Sequence, residues 1–295
     1  MSIIKNRKIF YTISILLVGF SILVLALWGL NFGIDFTGGT LWEIQFHNDR
    51  PSIDAVKTEL LKEGIEIATV QPTGNDIYIL RARPLEEVQH QIGLALLNDT
   101  FDGIEEMRFE AIGPSIGKEL RDKALYAIII VILGIITYVA WSFRKVEKIV
   151  SSWVYGVIAI IALVHDVLIP LGIFAVLCKF YGVEITSAFV AAILTVLGYS
   201  VNDTIVVFDR VRENLRKHTH NDFNELVESS IKQTIQRSIN TSLTTLLVLV
   251  AIFFFGGESI KAFALVLIIG IVSGTYSSIF LASPLLVTWS LKKAK

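Results

Sequence analysis

Long apolar runs separated by short polar connections dominate the pattern of this chain. A transmembrane helix needs about 20 mostly apolar residues, and five stretches meet this length outright. A further stretch is apolar only over residues 243–255, so its helix must begin earlier, among the polar residues near Ser238. The first stretch has too long an apolar core for a signal peptide and lacks a small-residue cleavage pattern. The pattern predicts six membrane-spanning helices, over residues 9–30, 124–142, 153–177, 185–208, about 238–255 and 262–289.

The segment between the first two apolar runs has a different periodicity. Residues 40–46, 65–70, 77–80 and 107–112 read as strands, and residues 71–75 read as a turn. Two helices are expected between them, one capped by Ser52 and one beginning at Pro84. Their apolar faces are predicted to be Val56, Leu60 and Leu61 in the first, and Leu85, Val88, Ile92 and Leu96 in the second. The order β-α-β-β-α-β predicts one ferredoxin-like α+β domain, large enough to fold on its own.

Composition supports a polytopic α-helical membrane protein. The chain has 295 residues, of which 53% are hydrophobic and 18% charged, and its mean hydropathy is +0.64. Basic residues concentrate in alternate connections, and the positive-inside rule then places both termini in the cytoplasm. The predicted organisation is a cytoplasmic N-terminus with the first span (1–30), an external domain (31–122) and a five-span bundle (123–295) with a cytoplasmic loop near 209–237. The basic residues concerned are Lys5, Arg7, Lys8, Arg144, Lys145, Lys148, Arg210, Arg212, Arg216, Lys217, Lys232, Arg237, Lys292, Lys293 and Lys295.

The fourth apolar run contains a carboxylic acid, Asp203. An ionised carboxylate in hydrocarbon costs about 2.5–3.5 kcal/mol on insertion scales, so its default interpretation is a proton or ion site. Arg237 opens the fifth span at a depth where it is expected to meet Asp203. A guanidinium favours the ionised carboxylate, and protonation releases the pair, which makes a two-state switch. A purely structural salt bridge is the alternative. Polar neighbours that are expected to support the site are Tyr199, Asn202 and Thr204.

A second acid, Asp166, lies near the middle of the third span. Its depth suggests a proton relay, but Pro170 one turn later leaves a carbonyl in need of a partner, so structural hydrogen bonding stays open. His165 is expected to be packed and hydrogen-bonded. Two acids in neighbouring spans also suggest a further hypothesis, that the chain is an intramembrane aspartyl protease. The segment Val201-Asn202-Asp203 does not fit the Gly-x-Gly-Asp motif expected of such enzymes, and an arginine partner opposes a shared proton.

No enzyme chemistry or cofactor is expected elsewhere. Cys178 is the single cysteine, so it builds neither a disulfide framework nor, by itself, a metal site. The segment 31–122 carries 8 Lys and Arg against 17 Asp and Glu and has no metal-type cluster or nucleophile–base pair. Contact with another protein is its expected use. Gly270 and Gly274 are spaced for close helix packing, and a partner subunit is one candidate for the packed helix.

Four segments resemble the SecD/SecF family of the RND superfamily. They are GLNFGIDFTGGT at 29–40, LGYSVNDTIVVFDRVREN at 197–214, RSINTSLTT at 237–245 and GTYSSIFLASPL at 274–285. They occur in the family's order along the whole chain. The second resembles the SecF type of fourth span, and a second six-span half is missing, so the chain is similar to the separate SecF branch and not to a fused SecDF.

The resemblance implies a function that residue patterns alone do not give. It implies a subunit of the bacterial cytoplasmic (inner) membrane that works with SecD and the SecYEG channel and uses the proton motive force to promote preprotein export. Protons are the implied coupling ion, Asp203 and Arg237 the implied proton-transport residues, and an accessory single-span subunit such as YajC a further partner left open. No nucleic acid is implied. The alternative is half of a proton-driven exporter of small molecules or lipids, a class that normally carries much larger external domains.

A partner is also expected on physical grounds. Six spans are not expected to shield both Asp166 and Asp203 from lipid, so a heterodimer with SecD across spans four to six is predicted.

Overall fold

The computed structural model of the chain describes residues 2–48, 50–142, 152–217 and 222–293. The described residues contain six helices long and apolar enough to cross a membrane, which confirms the predicted number. Arg144, Lys145, Lys148 and Lys295, on which the predicted orientation partly depends, lie outside the described residues. The elements in chain order are α1 (Arg7–Trp28), α2 (Ile34–Thr37), β1 (Gly39–Phe46), α3 (Ile53–Lys62), β2 (Ile67–Thr73), β3 (Ile77–Ala82), α4 (Glu87–Phe101), β4 (Ile104–Ile112), α5 (Pro114–Ser142), α6 (Ser152–Tyr181), α7 (Ser187–Arg216), α8 (Phe223–Phe255), α9 (Glu258–Ser277), a π-helical turn (Ser278–Ala282) and α10 (Ser283–Lys293).

The chain forms two compact units, a membrane unit (Met1–Asn31 with Tyr126–Lys295) and a small α+β unit (Phe32–Leu125). Several helices extend well beyond their apolar runs. In particular, residues 209–237, expected as a loop, are helical up to Arg216 and again from Phe223. The polar residues before Ser238 therefore continue the fifth spanning helix for several turns.

Three spans form the interior of the membrane unit. In the most apolar stretch of each, 50% of α6, 50% of α7 and 61% of the sixth span are buried, against 6% of α5. The sixth span consists of α9, the π-helical turn and α10. One apolar cluster joins Ile4, Leu226 and Val287, so the N-terminal segment, the start of α8 and α10 meet at one end of the bundle. At the opposite end, the N–H of Ile185 donates to the carbonyl of Asn31 at 2.7 Å.

Small residues bring α7 and α9 together. A Cβ placed on Gly270 would lie 2.2 Å from Cγ2 of Val196, and one on Gly274 would lie 3.0 Å from Cβ of Ser200. The predicted close packing is therefore confirmed, but its partner is α7 of the same chain, so these glycines give no support for a contact with another subunit.

Pro284 explains the irregular sixth span. Proline has no backbone N–H, so the carbonyl four residues earlier, at Phe280, loses its normal donor. The helix widens into a π-helical turn at this point, and Ser283 Oγ donates to the carbonyl of Ser278 at 2.8 Å. π-Helical turns of this kind occur frequently at functional sites.

The small unit has a four-stranded antiparallel sheet in the order β2-β3-β1-β4. With α3 and α4 in the intervening connections, this order is compatible with the predicted ferredoxin-like arrangement. Alternate residues of β1, Trp42, Ile44 and Phe46, are buried in the core. Ser52 caps α3 as predicted, since its hydroxyl accepts the N–H of Ala55 at 3.2 Å.

Details of this unit differ from the sequence expectation. The α4 helix begins at Glu87, and its buried residues are His90, Gly93 and Leu97. Of the predicted face, Leu85 packs against the core from just before the helix. Val88 is 67% and Ile92 44% exposed. On α3, Leu61 is likewise exposed, whereas Val56 and Leu60 are buried as predicted.

The predicted turn at 71–75 is also wrong in its position. Residues 71–73 belong to β2, and the chain turns over residues 74–76. Pro72 is tolerated because β2 lies at the edge of the sheet, where a missing N–H breaks no interior ladder.

The α7–α9 contact generates a stability prediction. We expect Gly270→Ala to lower the thermal denaturation midpoint of the purified protein, because its new methyl group overlaps Val196; overpacking of this kind costs about 1–3 kcal/mol. The matched control is Gly134→Ala in α5, where an added Cβ meets no atom within 4 Å. Equal midpoints for the two variants would contradict the close α7–α9 approach.

Candidate functional site

Asp203 lies on the buried face of α7, where the residue is 9% exposed. Its Oδ1 atom accepts the hydroxyl of Ser238 on α8 at 2.5 Å. Its Oδ2 atom has no hydrogen-bond partner among the described residues. Asp203 therefore links two spanning helices and keeps one acceptor oxygen open.

Arg237 is the neighbour of Ser238 on α8, but it forms no ion pair with Asp203 in the part of the chain that the structure describes. Its side chain is exposed and lines a polar cleft of about 390 Å³. The other lining residues are Ser142, Ile205, Val206, Asp209, Arg210, Glu213, Gln233 and Thr234. The two predicted site residues thus approach the same level of the bundle, and their charges act on each other without direct contact. The salt bridge expected from the sequence is absent from this structure.

Asp166 is fully buried and hydrogen-bonded at both oxygens. Oδ1 is 2.8 Å from Nδ1 of His165 and accepts the hydroxyl of Ser273 at 3.2 Å. Oδ2 accepts the hydroxyl of Ser277 at 2.6 Å and that of Ser200 through a short bond. Helices α6, α7 and α9 all contribute to this cluster, which we call the serine cage (His165, Asp166, Ser200, Ser273 and Ser277).

The sequence left open whether Asp166 relays protons or forms structural hydrogen bonds, and the serine cage shows that it forms structural hydrogen bonds. Pro170 lies inside α6, as expected, but the carboxylate binds side chains of other helices instead of the carbonyl that the proline frees. Gly274 allows Ser200 and Ser277 to reach the same carboxylate, because its missing side chain lets α7 approach α9. Asp166 consequently has a clear structural role in joining three helices, and a proton relay through it stays a proposal.

His165 is 3% exposed and packed, as predicted. Its ring is stacked on Tyr276 with centroids 5.9 Å apart and planes inclined by 18°. The hydroxyl of Tyr276 donates to the carbonyl of Phe10 on α1 at 3.0 Å. Nε2 of His165 has no hydrogen-bond partner within the described residues.

The three supporting residues occupy different environments. Thr204 is buried, and its hydroxyl is 2.8 Å from that of Ser278 in the π-helical turn. Tyr199 is half-buried, with a hydroxyl that has no partner in the described ranges. Asn202 is exposed on the opposite side of α7 from the cage. Only Thr204 of the three is therefore part of the buried polar network.

Sequence reasoning missed the hydroxyl residues. Ser200, Ser238, Ser273 and Ser277 hold the two acids, and Ser242 on α8 pairs with Thr275 on α9 at 2.6 Å. The available signal was the recurrence of small polar residues within apolar helices, which is typical of helix contacts in membranes. That signal does not reveal which carboxylate each hydroxyl binds.

Chemically, the arrangement contains two inequivalent carboxylates. Asp166 is saturated with donors, whereas Asp203 has an open oxygen that can take a proton without losing its bond to Ser238. A buried acid that exchanges a proton and contacts two helices is able to couple protonation to helix movement.

Two family models match the chain. The first, described as Protein export membrane protein SecD/SecF, C-terminal, matches residues 94–292. The second, the SecD/SecF GG Motif, matches residues 29–49. Among curated proteins, the chain is 44% identical to the protein translocase subunit SecF of Thermobaculum terrenum, over 99% of this chain and 95% of the relative. It is 42% identical to that of Desulfurispirillum indicum, over 97% of this chain and 90% of the relative.

A solved structure shows the same architecture. The crystal structure of SecDF, a translocon-associated membrane protein from Thermus thermophilus, matches with a TM-score of 0.83 at 32% identity. The match covers 100% of this chain and 39% of the SecDF chain, so the present chain corresponds to well under half of that protein. Together with the matching sequence models, these similarities place the chain in the SecD/SecF family of protein export membrane proteins.

Proposed function

We propose that the chain is a SecF-type subunit of the Sec protein-export machinery, and that it uses the proton motive force together with SecD to promote preprotein movement through the SecYEG channel. Similarity to named SecF subunits over nearly its full length supports the translocation role. The observation that carries the proton coupling is Asp203, a buried carboxylate with an open oxygen between α7 and α8. No enzymatic step is required, because the proton gradient itself supplies the energy.

Asp203 is the proposed proton-binding group. A proton on Oδ2 neutralises the carboxylate and removes its attraction for the Arg237 guanidinium. Helix α8 then loses a charge interaction with α7 while the Ser238 contact persists. Each charge that crosses the membrane releases about 2.3 kcal/mol per 100 mV, which is on the scale of one partly buried ion interaction. Asp166 is proposed to belong to the same proton pathway as a carboxylate held by the serine cage. Protons are the only coupling ion in this scheme.

SecD is the proposed partner subunit, because the similar solved protein is named SecDF and this chain covers 39% of it. The physical reason expected from the sequence is wrong, since Asp166 and Asp203 are already buried by the chain itself. Exposed apolar residues of α5 and α8 are available either to lipid or to a partner helix. They include Ile130, Leu133, Leu247, Val248 and Phe255. SecYEG and an accessory single-span subunit such as YajC are proposed further partners.

The proposed location is the bacterial cytoplasmic membrane, with both chain termini in the cytoplasm. The meeting of Ile4, Leu226 and Val287 at one end of the bundle supports a common side for the N-terminal segment, the start of α8 and α10. The basic residues around these segments support the cytoplasm as that side. The α+β unit is then extracytoplasmic, where it is placed to contact an emerging chain.

Replacement of Asp203 tests proton coupling. We expect Asp203→Asn to abolish gradient-dependent stimulation of export, because an amide cannot bind the proton, and to preserve association with SecD. The assay is preprotein export into inverted membrane vesicles at constant ATP, with and without an ionophore. Thr195→Ala is the control, since Thr195 is an exposed α7 residue whose hydroxyl donates only to its own helix. An undiminished ionophore response in Asp203→Asn would eliminate Asp203 as the coupling residue.

Arg237→Lys separates charge from shape. The variant keeps a positive charge but loses the planar guanidinium and its paired donors. Because the ammonium preserves the charge near Asp203 but cannot reproduce the paired donors of the guanidinium, we expect partial gradient-dependent stimulation, between the values of wild type and Asp203→Asn. Wild-type stimulation would assign Arg237 a purely electrostatic role.

Cysteine labelling tests the proposed orientation. In a Cys178→Ser background, we expect a cysteine at Asp76 to react with an impermeant thiol reagent added to intact spheroplasts, because the β2–β3 turn is extracytoplasmic in this scheme. A cysteine at Lys217 is expected to react only after the membrane is permeabilised. The reverse labelling pattern would invert the proposed topology.

Removal of the α+β unit tests its role in export. The ends of this unit meet, since Gly39 pairs with Ile112 across β1 and β4. A short glycine-serine linker is therefore able to replace residues 40–111. We expect the variant to insert into the membrane and bind SecD but to lose export stimulation. Full stimulation by the shortened chain would show that the unit is dispensable.

A further inference from the structure

The two buried acids differ in their capacity to accept a proton. An ionised carboxylate offers about four lone-pair positions, and Asp166 uses them for His165, Ser200, Ser273 and Ser277. A proton placed on Asp166 would displace one of these donors. The serine cage therefore stabilises Asp166 as an anion and makes it a poor place for an additional proton.

His165 offers the open position of the cage. With an ionised Asp166, Nδ1 of His165 carries the hydrogen of their 2.8 Å bond, and Nε2 retains a free lone pair. Nε2 has no hydrogen-bond partner in the described part of the chain. A proton that binds there breaks no existing hydrogen bond. It also converts a buried unit with one negative charge into a neutral imidazolium–carboxylate pair, which is the less costly state in a membrane interior.

Helix α1 places a hydroxyl at the same level. The helices α1 and α6 run parallel, because Ser21 contacts Gly172 and, further along both helices, Trp28 contacts Phe180 with ring centroids 5.3 Å apart. Ser14 and His165 each lie seven residues before the Ser21–Gly172 contact. The buried hydroxyl of Ser14 also has no hydrogen-bond partner among the described residues. Two open polar atoms thus occupy matching positions on adjacent parallel helices.

We propose that His165 is a second proton-binding residue of the bundle, that it takes the proton on Nε2 while Asp166 stabilises the imidazolium, and that Ser14 relays the proton to it from α1. The proposal rests on the proposed function, in which a proton crosses this bundle. In the binding step, a hydronium ion reaches Ser14 and its proton passes along the hydroxyl to Nε2. One O–H bond breaks, one N–H bond forms and water remains. Release reverses these steps.

Among the described residues, the contacts of His165 are with Asp166 and Tyr276. From α9 it faces the ring of Tyr276, whose hydroxyl is held by the Phe10 carbonyl of α1. The remaining direct neighbours of Asp166 are serine hydroxyls from α7 and α9. Asp203 on α7 is close enough for its charge and that of Asp166 to repel each other. Protonation of Asp203 and of His165 is therefore expected to be coupled through Asp166, because the first removes a negative charge and the second adds a positive charge near that carboxylate.

The variant that separates the roles of His165 is His165→Asn. An asparagine amide occupies the position of Nδ1 and continues to donate to Asp166, but it has no atom that binds a proton in the working range. We expect normal association with SecD, retained export without a gradient, and loss of gradient-dependent stimulation. Tyr276→Phe is the matched control, because it keeps the ring stacked on His165 and removes only the bond to Phe10.

The decisive measurement is infrared difference spectroscopy of the complex with SecD, titrated from about pH 5 to about pH 8, where histidine ordinarily changes charge. Ring-¹⁵N labelling identifies the histidine bands. We expect one imidazole-to-imidazolium band in wild type that His165→Asn lacks and that Ser14→Ala weakens or slows. His47→Asn, an exposed external position, is expected to remove a different band.

Identical histidine bands in wild type and His165→Asn would overturn the proposal, as would undiminished gradient stimulation in the variant. If His165→Asn does not accumulate, His165→Gln is the second variant for the infrared comparison, because its amide also binds no proton in the working range, but it does not keep the Nδ1 donor to Asp166. Absence of any ionophore-sensitive stimulation in wild type would instead defeat the proposed function, while the infrared titration would still decide whether His165 binds a proton.

Discussion

The free-energy cost of removing a carboxylate from water determines how the helices of the membrane unit must pack. Asp166 has no exposure, and an unpartnered charge at that depth would be expensive. Its cost is offset by four donors from three helices, so α6, α7 and α9 must pack in one register for the cage to close. A hydrogen bond to a charged group contributes about 1.5–3 kcal/mol, more than one between neutral groups. The same contacts that satisfy the acid therefore also specify how these helices associate where no hydrophobic driving force distinguishes helix from lipid.

Small residues and one proline allow the helices to approach closely enough to form the serine cage. Gly270 and Gly274 allow α7 to approach α9, and Pro284 widens the sixth span into a π-helical turn. The widened turn places Ser278 against Thr204, one residue from the Ser277 contact with Asp166. Asp203 is bound less fully than Asp166, since a single serine donates to it and its second oxygen has no hydrogen-bond partner among the described residues. A rigid, saturated acid beside a loosely held one is an arrangement in which a proton has a defined place to bind.

The α+β unit is organised around Trp42 of β1. Its indole N–H donates to Glu106 at 2.7 Å, and Nε2 of His90 lies 2.5 Å from the same carboxylate oxygen. The ring edge requires space on α4, and Gly93 supplies it, because a Cβ there would lie 3.0 Å from the indole. These contacts rotate α4 so that His90 and Gly93 face the sheet. Val88 and Ile92, the more hydrophobic face, are consequently exposed.

The sequence by itself determined the elements whose signal is local. The lengths of the apolar runs gave six spans, and alternation along β1 together with the Ser52 cap gave most of the α+β unit. Asp203 and Asp166 stood out because a charge in an apolar run is costly wherever the neighbours lie. Tertiary structure decided what those acids touch. Ser238 contacts Asp203 where Arg237 was expected, and the face of α4 follows the shape of Trp42 instead of helical hydrophobicity. Both outcomes depend on how each helix is rotated and how closely it approaches its neighbours. Packing between segments far apart in the chain determines these features, so the periodicity of one segment alone does not reveal them.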